Sequence, residues 1–173
     1  MTKALAERSV IRLRSEPLIV SADEFRKVFG LDEDRRPLEY IQNEYEEQEQ
    51  GKVVVDHATG LMWQKSGSKG SMTHDKTQGY IDQLNKEQFA GYTDWRLPTI
   101  PELMSLLEPE KQENGMYLDP IFVIPDVKYY WCWSADRLSK GASSESAWLV
   151  HFNYGDVSWN FLNGNYYVRA VRP

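Results

Sequence analysis

The sequence has very little cysteine, no long apolar run and no cluster of basic residues. Its one cysteine, Cys132, excludes an intrachain disulfide. No run of about 18 apolar residues occurs, so the sequence predicts no membrane-spanning helix. The formal net charge is −6, from 20 basic and 26 acidic side chains. Because nucleic acids and anionic membranes attract clustered Lys and Arg, we expect neither of them as a partner.

Tryptophan is absent from the first fifty residues, which hold 12 acidic and 8 basic side chains. All six tryptophans lie between Trp63 and Trp159. This uneven distribution predicts an N-terminal extension over residues 1–50, in the manner of an appendage, and a packed domain over residues 51–173. Residues 1–8 contain no apolar signal-peptide core, and on that basis we expect a cytoplasmic protein.

The extension carries one clear helix signal. Ser21 can cap a short helix over residues 21–29, with Glu24 completing a capping box, and Gly30 ends it. The acidic stretch over residues 39–50 has few apolar side chains and predicts a solvated helix or a linker.

The packed domain begins with stronger signals. Residues 53–55 and 61–64 predict a β-hairpin, and residues 73–86 predict a helix with one apolar face. Thr99 begins a second helix, because Glu102 three residues later completes a capping box. A long irregular stretch precedes a run of four or more strands. This order of elements is typical of an α+β domain and not of a βαβ repeat.

The last quarter of the chain, residues 146–172, predicts three short strands rich in aromatic and small polar residues. Trp148 and Val150 alternate with Leu149 and His151, a period of two that places one set in a core. We therefore expect Leu149, His151 and Asn153 to face outward.

Composition makes this last quarter the candidate binding surface. Tyr, Trp, Asn, Ser, Asp and Gly on a small sheet resemble an antibody paratope, which favours ligand binding over catalysis. The turns are predicted at Asn153-Tyr154-Gly155-Asp156 and at Asn163-Gly164, the latter as a type I′ turn. Because Trp159 and Phe161 share a strand face with Val157, a core role for both is an equally open interpretation. The candidate ligand-binding residues are His151, Asn153, Tyr154, Asp156, Ser158, Trp159, Asn160, Phe161, Asn163 and Asn165.

Several motifs, in order along residues 51–172, resemble the Lcl C-terminal domain family. They are Gly60-Leu61-Met62-Trp63-Gln64, then Ala90-Gly91-Tyr92-Thr93-Asp94-Trp95-Arg96-Leu97-Pro98-Thr99 with Glu102-Leu103, then Trp131-Cys132-Trp133-Ser134, then Ala147-Trp148, and finally Tyr167-Val168-Arg169-Ala170-Val171-Arg172. The Gly-Tyr-Thr-Asp-Trp-Arg-Leu-Pro block is the most specific of them.

The resemblance implies a branch of the C-type lectin fold, related to the formylglycine-generating-enzyme type. That fold has two helices packed on a twisted antiparallel sheet, with the chain ends close together. Some proteins of this fold are variable proteins of diversity-generating retroelements, in which changes at adenines rewrite selected codons near the 3′ end of the gene. For Arg96 we expect a structural role, stacked on an indole or paired with Asp94, and for Arg169 and Arg172 a role as clamps of the final strand.

The resulting hypothesis is a non-enzymatic protein that binds a protein or glycan ligand through its C-terminal surface and is a monomer or a small homo-oligomer. In the preferred version of this hypothesis, a retroelement diversifies that surface. An oxidase of the formylglycine-generating type is one alternative, but it needs paired thiolates or clustered imidazoles to hold copper or iron. Only Cys132 is present, in an apolar run where a buried thiol is expected, and His57, His74 and His151 lack ligand-like spacing. We therefore expect no cofactor and no catalytic metal. A structural or oligomerisation module is the other alternative.

Overall fold

The computed structural model describes residues 9–139 and 145–173. Residues 1–8, on which the expectation of a cytoplasmic location depends, lie outside the described residues. Within this part of the chain no helix is long and apolar enough to cross a membrane. The strands are β1 (Ile19–Ser21), β2 (Tyr45–Gln48), β3 (Val53–Asp56), β4 (Leu61–Gln64), β5 (Trp131–Ser139), β6 (Ser146–His151), β7 (Asp156–Phe161) and β8 (Val171–Arg172), and the α-helices are α1 (Phe25–Phe29), α2 (His74–Lys86) and α3 (Ile100–Met104).

The strands form two four-stranded sheets. The first sheet has the order β1-β5-β6-β7 and is antiparallel except that β1 runs parallel to β5. The second sheet has the order β2-β3-β4-β8 and is antiparallel throughout. With the helices this confirms the predicted α+β class, in which sheet predominates. The described strands lie in two sheets, where the resemblance implied a single antiparallel sheet, and residues of the N-terminal stretch add an edge strand to each of the two.

Local signals in the packed domain predicted its elements well. Strands β3 and β4 form the expected hairpin, and α2 begins directly after Thr73. Helix α3 has the expected capping box, in which the Glu102 carboxylate accepts a hydrogen bond from the Thr99 amide at 2.9 Å. The same carboxylate pairs with both terminal nitrogens of Arg96 at 2.8 and 2.5 Å. Arg96 is therefore structural, but its partner is Glu102, and Asp94 pairs instead with Arg172 at 2.6 Å.

The N-terminal stretch is an integral part of the fold. Strand β1 pairs with β5, and β2 pairs with β3. Strand β2 lies within residues 39–50, which were predicted to form a solvated helix or a linker. Helix α1 begins at Phe25 and not at Ser21, although Gly30 ends it as expected in a left-handed conformation. The rings of Phe25 and Phe29 lie 4.8 and 5.3 Å from the buried Trp148 ring. The interpretation of residues 1–50 as an appendage is therefore wrong for their described part, because it completes both sheets and the core.

A buried carboxylate joins this N-terminal stretch to the rest of the chain. Asp136 on β5 is fully buried and accepts two hydrogen bonds from the Arg14 guanidinium at 2.8 and 2.9 Å. It also accepts the backbone amides of Leu18 and Ile100, each at 2.7 Å. One side chain thereby fixes the approach to β1, the first residue of α3 and the middle of β5. A buried charge is tolerated here because donors surround it.

Apolar side chains cover both faces of the first sheet. Trp148 and Val150 pack into one core cluster with residues of α1 and α3. Ala147 and Leu149 pack into a second cluster with residues of α2 and of the second sheet. All six residues of β6 are consequently buried. The prediction that Leu149 and His151 face outward is wrong, because alternation identifies opposite faces of a strand but not which faces are covered.

A buried arginine fixes the C-terminal segment. The Arg169 guanidinium is fully buried and donates hydrogen bonds to the carbonyl oxygens of Gln64, Lys65 and Val123 at 2.6 to 2.9 Å, and to the Tyr130 hydroxyl at 3.0 Å. It also lies over the Phe122 ring, 5.1 Å from the ring centroid. The predicted clamp role of Arg169 is therefore supported by contacts to three separate segments of the chain.

Replacing Arg169 should destabilise the protein strongly. We expect Arg169→Lys to lower the free energy of unfolding by about 3 kcal/mol or more, because a lysine cannot reach all four acceptors and would leave some buried without a partner. Arg137→Lys is the matched control, because the Arg137 side chain is partly exposed and pairs with the exposed Glu145. Urea unfolding of both variants measures the difference. Similar losses in the two variants would contradict the clamp role.

Removal of the N-terminal stretch should abolish cooperative folding. A chain that begins at residue 51 lacks β1, α1 and β2, exposes Trp148 and leaves Asp136 buried without Arg14. A chain that begins at residue 9 retains every described residue and is the control. We expect a sharp thermal transition, followed by near-ultraviolet circular dichroism, for the control only. A sharp transition at similar temperature in the shorter chain would restore the appendage interpretation.

Candidate functional site

The candidate site lies at the end of the first sheet where β5 and β7 begin and β6 ends. Strand register places Trp131 opposite His151, and His151 opposite Asp156, so these three side chains share one face. The next row on that face contains Trp133, Leu149 and the partly exposed Ser158. The second core cluster covers Trp133 and Leu149 but leaves the row of Trp131 at the edge of the cluster.

Five rings form a continuous patch at this edge, which we call the aromatic surface: Tyr129, Trp131, His151, Tyr154 and Tyr166. The Trp131 ring centroid lies 4.1 Å from that of His151, 5.1 Å from that of Tyr166 and 6.1 Å from that of Tyr129. Tyr154 lies 6.2 Å from Tyr129 and 5.8 Å from His151. Tyr129 and Tyr154 are 47% and 48% exposed, so the patch presents aromatic rings to solvent.

A hydrogen bond to Asp156, which is itself ion-paired with Arg35, holds the imidazole of the aromatic surface in place. His151 Nδ1 lies 2.8 Å from Asp156 Oδ1, and the other carboxylate oxygen of Asp156 accepts a hydrogen bond from Arg35 at 2.8 Å. The Arg35 backbone carbonyl also accepts the Val157 amide at 3.0 Å, and Arg35 has a positive φ of 63°. The neighbouring Arg36 donates to the Tyr154 carbonyl at 3.0 Å. The N-terminal stretch therefore borders the site directly.

Two amides orient the other rings. The Asn153 side-chain oxygen accepts a hydrogen bond from the Trp131 indole at 2.7 Å, and the Asn160 amide donates to the Tyr166 hydroxyl. Lys128 adds a cation above Tyr129, 5.2 Å from its ring centroid. Each ring of the aromatic surface therefore contacts at least one neighbouring ring.

Six of the ten candidate residues lie together at this site: His151, Asn153, Tyr154, Asp156, Ser158 and Asn160. Of these six, His151, Asn153 and Asp156 are only 8%, 6% and 6% exposed, so the expectation that they face outward is wrong. Asn153 accepts the hydrogen bond from the Trp131 indole, and Asp156 contacts both His151 and Arg35, so all three side chains have partners inside the structure. Tyr154 is the candidate that faces solvent most clearly, and the ligand-binding role of all six stays a prediction.

The other four candidates lie elsewhere. Trp159 and Phe161 project from the opposite face of β7, their ring centroids 5.9 Å apart, and Trp159 packs against the first core cluster. Phe161 is 44% exposed. Asn163 and Asn165 are exposed in the turn that follows β7. That turn is not of type I′, because neither Asn163 nor Gly164 has a positive φ.

Sequence reasoning missed four residues of the site: Tyr129, Trp131, Tyr166 and Arg35. Alternation along β5 could have found Trp131, since the buried Tyr130 and Cys132 flank it. No local signal identifies Arg35, because its contact with Asp156 joins positions 121 residues apart in the chain.

The groups suited to bond-making chemistry are dispersed. Burial raises the pKa of the Cys132 thiol to about 11, so it is protonated near neutral pH and is a poor nucleophile. The three imidazoles have separate partners: His57 pairs with Glu46, His74 with the Ser134 carbonyl, and His151 with Asp156. Over residues 9–139 and 145–173, no group of three His, Cys, Asp or Glu side chains could hold a metal ion. The arrangement is suited to stacking and hydrogen bonding.

Comparison with known proteins agrees with the motifs of the sequence. The family model described as the Lcl C-terminal domain matches residues 52–172, well over half of the chain. No curated protein matches the chain. The matched range begins before β3 and ends in β8, so it contains β5, β6 and β7, which carry most of the aromatic surface. The chain belongs to the Lcl C-terminal domain family.

Proposed function

We propose that the protein is a non-enzymatic ligand-binding protein and that the aromatic surface is its binding site. One observation carries the proposal: Tyr129 and Tyr154 are about half exposed, although each contacts an oriented ring beneath it. An exposed ring that is already fixed loses little conformational entropy on binding. Tyrosine and tryptophan also supply large contact areas together with a polar group, which is why they dominate binding hot spots.

The polar groups around the rings fit a protein or glycan ligand. Ser158 and Asn160 lie beside the rings on the edge strand, and Lys128 and Arg35 add positive charge. Both ligand classes present apolar patches that can stack on rings beside hydroxyl or amide groups that can form hydrogen bonds. Because both classes fit the same groups, a screen for the ligand must include glycans and peptides.

The reactive side chains of the described residues make catalysis the weaker alternative. The protonated Cys132 thiol is buried, and the partners of the three imidazoles are in different parts of the structure. An oxidase of the formylglycine-generating type would need a ligand cluster that these residues do not form. A structural or oligomerisation role would require a contact surface, and the aromatic surface is also the best candidate for that.

We extend the proposal to a C-type-lectin-like fold for residues 51–173. The pairing of β4 with β8 supports this, because it brings the beginning and the end of that range side by side. The described N-terminal residues then act as an addition that completes the core. A cytoplasmic location is also part of the proposal.

Removing the exposed rings should weaken binding without unfolding the protein. We expect the Tyr129→Ala/Tyr154→Ala variant to bind at least about tenfold more weakly, since hot-spot rings are worth about 2 kcal/mol or more. The probes are an oligosaccharide array and a displayed random-peptide library, from which the strongest hit is taken for titration. Val28→Ala is the control, because Val28 is 45% exposed on α1. Equal affinity of the two variants for that hit, or no hit from either probe, would refute the proposal.

A retroelement-diversified version of this function makes a separate prediction at the level of DNA. We expect a nearly identical downstream copy of the 3′ end of the gene, differing mainly at adenines, beside a reverse transcriptase gene. The differing codons should fall at Tyr154, Ser158, Asn160, Asn163 or Asn165 and spare the buried His151, Asn153 and Asp156. Sequencing of the locus measures this. A complete locus without such a copy would leave an undiversified binding protein.

A further inference from the structure

A second cleft lies outside the aromatic surface. It has a volume of about 600 Å³, within the range of small-molecule sites. Its walls come from the loop between β4 and α2, the turn between β2 and β3, and one side of α2 with the segment that follows it.

The charge of this cleft is opposite to that of the chain. Lys52 and Lys69 are its charged lining residues, and no carboxylate of the part of the chain that the structure describes lines it, although the whole chain carries a net charge of −6. The Glu47 carboxylate lies near Gly51 but is paired with Lys65. Over the described residues neither Lys52 nor Lys69 has an ion-pair partner. An anion is therefore the complementary ligand.

The loop that forms the polar wall is fixed at its base. Ser68 donates its amide to the Val168 carbonyl at 2.7 Å, and its hydroxyl accepts the Val168 amide at 3.0 Å. Gly67 has a φ of +63°, and a Cβ there would lie 2.9 Å from the Val168 carbonyl oxygen, so only glycine fits. The exposed Ser66, Lys69 and Ser71 are thus held on a fixed backbone, with hydroxyl and ammonium donors available to a ligand.

A further part of the cleft is apolar. Met72, Tyr80, Leu84 and Phe89 line it, and the Tyr80 hydroxyl accepts a hydrogen bond from Gln64 at 2.8 Å while keeping its own proton to donate. We propose that this cleft binds a small amphipathic anion, with an apolar body against these side chains and a terminal phosphate or carboxylate between Lys52 and Lys69. This site is separate from the proposed binding function and does not depend on it.

Titration with simple amphiphiles tests the proposal. The probes are octyl phosphate, octanoate, octanol and octylamine, followed by calorimetry and by the amide resonances of Met72 and Tyr80. We expect one or both anions to bind with one-to-one stoichiometry and to shift those resonances, and the alcohol and the amine to bind far more weakly. The stronger anion identifies the preferred headgroup. Tight binding of the alcohol, or no binding of either anion, would overturn the proposal.

A charge-matched pair of variants locates the anion. We expect Lys52→Gln/Lys69→Gln to weaken binding of the stronger anion roughly tenfold, because the variant loses both solvent-exposed ion pairs to the headgroup. Lys76→Gln/Lys86→Gln removes the same charge from exposed positions of α2 outside the cleft and should change affinity less than twofold. Equal weakening in both variants would show a general charge effect and refute the site. Neither variant touches the aromatic surface, so the two proposals can fail independently.

Discussion

The burial of the Arg169 guanidinium is the constraint on which the rest of the structure depends. Among the described residues no carboxylate pairs with it, so the two terminal nitrogens of this buried cation need neutral acceptors, and these come from Gln64, Lys65, Val123 and Tyr130. Satisfying it closes the C-terminal segment against β4 and turns the Tyr130 ring into the core. Since strand residues alternate in direction, the residue after Tyr130 must then point to the other face. The position of the tryptophan in the aromatic surface is therefore set by a cation in the core.

A second buried charge, the carboxylate of Asp136, holds the N-terminal stretch in place. Asp136 is satisfied by the Arg14 guanidinium and two backbone amides, so its cost of burial is recovered only when that stretch is in place. Buried polar networks of this kind specify one arrangement, because any shift leaves a group without its partner. The two charges fix different parts of the chain: Arg169 holds the C-terminal segment, and Asp136 holds the N-terminal stretch.

Sequence reasoning succeeded where the signal was local. The β3–β4 hairpin, the end of α1 at Gly30 and the capping box of Thr99 each depend on residues close together in the chain. It failed for β1 and β2, because β1 is three residues long and pairs Ile19 with the distant Arg137, and β2 is acidic. For the site it found residues of β6 and β7 but missed Trp131 on β5, and it did not identify which strand faces are covered. To predict that His151 is buried, one must know that both faces of β6 are covered, and periodicity alone does not show this.

The boundary of the family match and the boundary of the site differ, and this has a physical consequence. The match begins at residue 52, yet Arg35 pairs with Asp156 and Arg36 contacts the carbonyl of Tyr154. Residues outside the matched range therefore orient the imidazole and the tyrosine that the range itself supplies. The segment that precedes the matched range thus supplies the positive charge beside the rings, while the buried cores keep the strands of the matched range fixed.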